Sequence, residues 1–245
     1  MVPARVASTR LPSKPLQLLG GVPLVARVVE RALAVPGVDR LVVATDSGRV
    51  ADAVSPTGVD VLLTSPEHQS GTDRVAEVAR RPEFAGYDVI VNFQGDEPFL
   101  PVAAVTGAIA RVQGGDAIGT AAAPLDAALR DDPSRVKVVC DDAGRALYFS
   151  RAAVPYLRDP SDLAATRWWQ HLGVYAYRRD ALLRFCALPP TMLEQSERLE
   201  QLRALAAGIP IGVARLDRPA PAGIDTPEDL AAAEARWRDP AEVAR

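Results

Sequence analysis

Cysteine is nearly absent: Cys140 and Cys186 are the only two thiols in 245 residues. Each sits in an apolar run, KVVCD or LLRFCAL, with no CxxC or Cys/His spacing near it. The pattern of a thiolate metal site is therefore missing, and both are expected to be small buried hydrophobes. No apolar run approaches the roughly 20 residues that span a bilayer. The opening MVPARVASTR lacks the apolar centre of a signal peptide, so no membrane partner is expected and the expected compartment is cytoplasmic. There is no excess of positive charge, since the formal net charge is -3. That excludes the basic footprint which neutralises long stretches of nucleic-acid phosphate, so nucleic acid is not an expected partner. No GxGxxG follows the first strand, which argues against a dinucleotide-dependent oxidoreductase. Internal repeats and low-complexity linkers are missing as well.

What is present is the ordinary balance of a globular enzyme, 48% hydrophobic and 24% charged. The runs VDRLVVATD, VDVLLTS and YDVIVNFQGDEP are short, nearly continuous and rich in β-branched residues, as parallel strands covered on both faces are. Between them lie helix-period segments. PLVARVVERALAVPG stops at Pro36-Gly37, and SGTDRVAEVARR and PVAAVTGAIARVQGG repeat at the same spacing. Strand–helix repetition of this kind predicts a right-handed, parallel α/β sheet. After residue 130, RVKVVCDDAGRALYFSRA reads as two strands joined by the turn DDAG, and HLGVYAYRR as another strand, together an antiparallel hairpin insertion. TMLEQSERLEQLRALAAG is expected to be helical up to Gly208, and TPEDLAAAEARWR is a helix capped by Thr226 with Pro227 in its first turn. PSDLAATRWW is the segment expected to be mobile. With no shift in composition, residues 1–245 are expected to form a single domain, with a hairpin subregion at roughly 130–178.

Three segments carry chemistry. In PARVASTRLPSKPL, Arg5, Arg10 and Lys14 crowd one loop, with Pro12 and Pro15 flanking the lysine. The residues alone leave a solvated basic loop and a phosphate-binding loop both open. NFQGDEPF follows a strand, which places Gln94, Asp96 and Glu97 at the carboxyl end of the sheet, where open α/β sheets bind ligands. Adjacent carboxylates after Gly95 suit Mg2+, a hard ion that takes one or two protein oxygens; a capped turn is the alternative. In AGIDTPEDL, Asp225 lies just outside a helix and is able to meet Asp96 at one metal, whereas Glu228 and Asp229 suit the helix dipole.

The ordered set PARVASTRLPSKPL, LVVATD, HQSGTDR, VNFQGDEP, VKVV, LYFSRA, HLGVYAYR, LEQSERLEQLR and GIDTPEDL resembles the cytidylyltransferases that activate 3-deoxy-manno-octulosonate (Kdo) over nearly the whole chain. The combination of HQSGTDR, YFSRA and HLGVYAYR separates that family from the related enzymes that make CMP-sialic acid. The resemblance implies a three-layer α/β/α nucleotidyltransferase fold, Rossmann-like and of the nucleotide-diphospho-sugar transferase type. It further implies CMP transfer from CTP to Kdo for lipopolysaccharide, dependence on Mg2+, and a homodimer, with the 130–178 subregion as a dimerisation region; the apolar stretch RWWQHLGVYAY suits a subunit interface and the hairpin's packing against the sheet equally.

Carried over residue by residue, the resemblance assigns Arg5, Ser8, Arg10 and Lys14 to the CTP phosphates, with Lys14 steadying charge at the reacting phosphate. Gln69, Ser70, Gly71 and Arg74 would face the nucleotide, while His68 reads as a structural hydrogen bonder. Gln94, Arg151, His171, Tyr175, Glu200 and Gln201 would line the sugar pocket, and Asp96 and Asp225 would hold Mg2+. Lys14, Arg10 and Asp96 form the expected catalytic set. The implied reaction is an in-line attack of the sugar's anomeric hydroxyl on the α-phosphate, with no isolated side chain standing out as base. Kdo, its 8-amino variant and a sialic acid are competing substrates, and a catalytically inactive homologue is the non-enzyme alternative. Ser13 stands where the family carries glycine and Ser134 where it carries asparagine. Only Met1 and Val2 precede PAR, so the first strand is expected to be missing or stunted, the start lying downstream of the true one.

Overall fold

Residues 1–8 and 10–238 are described by the computed structural model. The chain falls into two units, Met1–Val102 together with the chain from Pro221, and Ala103–Ala220. The expectation of one domain rests on uniform composition, and composition carries no mark of this division because both units use the same apolar strands and amphipathic helices.

The first unit runs β1 (Val2–Ala4), β2 (Leu18–Leu19), β3 (Val22–Pro23), α1 (Leu24–Leu33), β4 (Val42–Thr45), α2 (Gly48–Val54), β5 (Asp60–Leu63), α3 (Gly71–Arg80) and β6 (Val89–Phe93). β1, β4 and β5 pair in parallel, with Val2 opposite Val43 and Val43 opposite Val61. The first strand is present though short. Val2 is fully buried, and β6 runs beside Met1, whose amino group donates to Val91 O at 2.8 Å while Phe93 N donates to Met1 O at 2.9 Å. All four positions of β4 are buried. β5 departs from the expectation of a strand covered on both faces: it ends the sheet and leaves Leu63 62% exposed. α1 buries Leu24, Val25, Val28, Val29 and Ala32, the period that its sequence predicts.

The second unit opens at the second residue of α4 (Val102–Gln113) and continues β7 (Ile118–Leu125), β8 (Lys137–Cys140), β9 (Ala146–Ser150), β10 (Trp168–Arg178), α5 (Arg179–Cys186), α6 (Met192–Glu197), α7 (Gln201–Ala206) and β11 (Ile211–Arg215). Its strands follow the order β11-β7-β10-β8-β9. β11 and β7 are parallel, and the remaining neighbours in that order are antiparallel. β8 and β9 form the expected hairpin, closed by Asp141 N to Arg145 O at 2.9 Å. β10 does more than accompany that hairpin: it lies between β7 and β8, in the middle of the unit's sheet. The tract expected to be mobile holds a 3-10 turn, Pro160–Ala164, capped by Asp159, and enters β10 at the buried Trp168. Cys140 and Cys186 form no disulfide and are half-buried, more exposed than the buried hydrophobes expected. The chain ends its described part in α8 (Pro227–Trp237), which belongs to the first unit.

The helix expected across 191–208 is broken. α6 stops at Arg198, which takes a left-handed φ of 53°, and α7 starts at Gln201. Glu194 and Arg203 explain the break. Nine residues at about 100° each would put them on opposite faces of one straight helix, yet Arg203 Nε donates to Glu194 Oε2 at 2.8 Å and both side chains are 11% exposed. Folding the segment back on itself lets this nearly buried pair form. Replacing one partner strands the other charge, so Arg203→Met is expected to lower stability by about 3 kcal/mol in urea denaturation.

Candidate active site

Three chain segments of the first unit converge on Lys14. The lysine opens a 3-10 turn, Lys14–Leu16, with buried Pro15 fixing the next φ. Ser13 before it has φ 52° and ψ 37°, the left-handed region in which glycine is unstrained, a conformation that fits the expectation of glycine at this position. Asp96 follows β6 through Gln94 and Gly95. Glycine is needed at 95 because a Cβ there would lie 2.7 Å from the carbonyl oxygen of Pro3 in β1. Asp225 sits one residue before Thr226, the N-cap of α8.

Lys14 Nζ donates to Asp96 Oδ2 at 2.7 Å and to Asp225 Oδ1 at 2.8 Å, across 82 and 211 positions of sequence. Arg10 Nη2 lies 3.0 Å from Asp225 Oδ2. Burial works to lower the Lys14 pKa, but the charge of Asp96 and the hydrogen bonds to both carboxylates outweigh it and hold the ammonium above its ordinary value. Burial likewise works to raise Asp225, and Lys14 with Arg10 reverses this, keeping its carboxyl below the usual range. The structure thus brings Arg10, Lys14, Asp96 and Asp225 into one charged cluster.

The other nucleotide candidates gather around the start of α3. Arg5 Nη1 donates to Gln69 O at 3.2 Å, joining the N-terminal loop to HQSGTDR. Ser70 is the N-cap of α3, its hydroxyl accepting from Asp73 N at 3.1 Å, and Gly71 is the first helical residue. A ten-residue helix beginning beside exposed Arg5 offers backbone N–H groups suited to an anion. Ser8 is half-buried in the same loop. Arg74 is 1% exposed and turned inward, donating to Thr64 Oγ1 and, at 2.8 Å, to Asp46 Oδ2. His68 pairs with Glu77 at 2.7 Å, a structural role, and Glu77 also accepts from Ser65 N and Arg81.

Gln94 belongs to the first unit, at the end of β6. The remaining sugar candidates lie in the second. His171 Nε2 is 2.9 Å from Thr120 Oγ1, with its ring edge-on to Phe149 at 5.0 Å and tilted to Tyr175 at 5.3 Å. Burial drives the imidazole down to about 3, and burial with the charge of Glu200 pushes the Tyr175 phenol well above its ordinary value. Both rings are therefore neutral near pH 7. Gln201 is buried at the start of α7 and Glu200 precedes it. Arg151 is held by backbone carbonyls, Nε to Glu197 O at 2.7 Å and Nη1 to Pro133 O at 2.8 Å.

The cytidylyltransferase family model matches residues 1–211. The chain belongs to the cytidylyltransferase family. It is 52% identical, over 97% of its length and 93% of the relative's, to a 3-deoxy-manno-octulosonate cytidylyltransferase of Gemmatimonas aurantiaca. It is 50% identical, over 96% of its length and 97% of the relative's, to the protein of that name from Xanthomonas campestris pv. campestris. Among solved structures it is similar to a CMP:2-keto-3-deoxy-manno-octonic acid synthetase complexed with CTP, with TM-score 0.87, 41% identity, and 96% and 95% of the two chains covered.

Some residues of this cytidylyltransferase escape motif reading. Asp46 ends the ATD turn, and its bond to Arg74 ties that turn to α3. Glu197 accepts from Ser150 Oγ at 2.6 Å and from Arg151 N at 2.9 Å, fixing the end of β9. Lys137 is fully buried and donates to Asp132 O at 2.9 Å and to Arg151 O. All three lie inside motifs that carry the resemblance, LVVATD, VKVV and LEQSERLEQLR, yet only Lys137, a charge inside an apolar run, carries a signal of its own; the partners of Asp46 and Glu197 are set by tertiary packing.

His171 makes stability depend on pH. Unfolded, it takes up a proton near 6.5; folded, only near 3. Between those values the unfolded state binds more protons, so this contribution is complete above pH 6.5 and is lost as pH falls toward 3. Urea denaturation from pH 7 to 4 should show a loss of stability that is shallower in His171→Gln.

Proposed function

We propose that this cytidylyltransferase moves CMP from CTP to the anomeric hydroxyl of Kdo, releasing pyrophosphate, with Mg2+ as cofactor. The observation that carries the reading is the convergence of Asp96 and Asp225 on Lys14, at 2.7 and 2.8 Å, with Arg10 beside them. CTP brings roughly four negative charges, and attack at its α-phosphorus needs fixed positive charge on the phosphoryl oxygens and the leaving pyrophosphate. Lys14 and Arg10 supply it from inside the cluster and Arg5 from the adjoining loop. Ser8, Gln69, Ser70, Gly71 and Arg74 are assigned to the nucleotide, Arg74 acting from beneath through Asp46. Gln94, Arg151, His171, Tyr175, Glu200 and Gln201 are assigned to the sugar acid. A neutral His171 and Tyr175 suit hydrogen bonding to hydroxyls better than ion pairing.

The donor set fits Mg2+. Two carboxylate oxygens within hydrogen-bond reach of one ammonium support the reading of a single small cation held by both, since Mg2+ takes one or two carboxylates with substrate oxygens completing its shell. Among the described residues no group of three or more His, Cys, Asp or Glu is arranged to hold a metal, which leaves the other positions to substrate and water. Asp96 and Asp225 would hold the ion; bound there, it supplies neutralisation of oxygen charge at the α-phosphate and on the sugar's carboxylate.

A homodimer is part of the reading. Leu129, Leu147, Tyr156, Leu163, Met192 and Leu193 of the second unit are exposed, Tyr156 by 83% and Met192 by 75%, and apolar exposure of this kind suits a subunit contact. A cytoplasmic location accords with the finding that no described helix is long and apolar enough to cross a membrane.

Pyrophosphate release with CTP and Mg2+, comparing Kdo, its 8-amino analogue, sialic acid and no sugar, tests the reading. Release with Kdo that stops when Mg2+ is chelated is expected. Release only with another acidic sugar would move the substrate, and no release with any sugar would favour an inactive homologue. Lys14→Ala should lower kcat by about 10²–10³ with native circular dichroism.

A further inference from the structure

Asp225 owes its position to the helix that follows it. Asp229 Oδ2 accepts from the backbone N–H of Asp225 at 3.0 Å and of Thr226 at 2.9 Å, and the Thr226 hydroxyl accepts from Asp229 N at 3.1 Å. Ile224 N donates to Asp96 O at 2.9 Å. These bonds fix the start of α8. They leave the direction of its axis to the far end, about 16 Å away for 11 residues.

At that end Trp237 meets the two other segments of the charged cluster. Its indole rests on Gly20 so closely that a Cβ at residue 20 would lie 2.2 Å from Nε1. Gly20, at φ 57°, turns the β2–β3 hairpin that begins just after the Lys14–Leu16 turn. The Trp237 ring also lies 5.9 Å from that of Phe99, three residues beyond Asp96. Arg27 holds the junction: its guanidinium is 4.3 Å from the indole centroid and donates to Leu19 O at 3.1 Å and Gly20 O at 3.0 Å. Glu234 Oε1 accepts from Gly20 N at 2.7 Å. One side chain on the helix of Asp225 therefore touches the segments that carry Lys14 and Asp96.

We propose that Trp237, seated on Gly20 and steadied by Glu234, is a positioning residue that sets the Asp225 carboxylate against Asp96 and Lys14. The proposal rests on the reading of Asp225 as a cation-holding carboxylate. A helix pinned at both ends presents its leading carboxylate in one direction; pinned only at its cap, it pivots, and Asp225 shares a cation with Asp96 less often. Residues that orient ligands without touching the ion commonly change metal affinity by about 10–100-fold when removed.

The test measures Mn2+ binding by electron paramagnetic resonance with CTP present, alongside the Mg2+ concentration that half-saturates pyrophosphate release. Trp237→Ala is expected to weaken Mn2+ binding and raise the half-saturating Mg2+ about tenfold, with kcat at saturating Mg2+ largely kept and native circular dichroism. Trp237→Phe, which keeps an aromatic ring on Gly20, should restore most of the affinity. Glu234→Ala, which removes only the bond to Gly20 N, should shift affinity in the same direction by a smaller factor and serves if Trp237→Ala does not fold. Unchanged Mn2+ affinity in Trp237→Ala, or in Glu234→Ala when the former does not fold, overturns the proposal. Asp225→Asn separates the two readings. Loss of Mn2+ there with none in Trp237→Ala defeats the positioning role alone, and retention there defeats the carboxylate assignment and the positioning role with it.

Discussion

Two carboxylates held together in a partly buried place repel each other, and the first unit relieves this by setting the Lys14 ammonium against both Asp96 and Asp225. Much of the surrounding architecture exists to make that meeting possible. β1 must lie close enough to the Gln94–Glu97 turn to demand glycine at 95. The turn into Lys14 must pass through a left-handed residue, which Ser13 supplies at some strain. α8 must begin where Ile224 reaches the backbone of Asp96. Each is a backbone constraint, and each places one charge of the cluster.

The second unit follows a different electrostatic logic. Its candidate sugar residues are buried or half-buried and kept neutral or capped: His171 against Thr120, Tyr175 among aromatic rings, Arg151 among carbonyl oxygens. The buried Lys137 and the half-buried Glu197 bond to backbone groups at the end of β9 and so stiffen the residue that they flank, Arg151. A polar sugar acid is discriminated best by groups whose hydrogen bonds are already aimed, because a wrong ligand leaves them unpaired.

The residues of the charged cluster were legible because each lies in a short motif whose local logic is visible: cations between prolines, carboxylates after a strand, an aspartate before a capped helix. Their meeting was not, since it spans 82 and 211 positions and depends on packing. Strands with continuous apolar runs read correctly, apart from the exposure of β5, which depends on its place at the sheet's end rather than on its composition. The break at Arg198 was hidden because helical periodicity continues across it, and only the Glu194–Arg203 pair shows why the chain turns. Arg74, read as facing the nucleotide, is buried on Asp46; a guanidinium's direction is a tertiary property that no spacing rule reports.

The central claim is that Asp96 and Asp225 act as one unit. A double-mutant cycle on kcat/KM with Asp96→Asn, Asp225→Asn and both together tests it most directly. Groups that share one cation are lost together, so each single change should cost about 10²–10³ and the pair at most about tenfold more than the worse single. Losses that multiply, with the double variant weaker by the product of the two singles, would mean that the carboxylates act independently and would contradict the account.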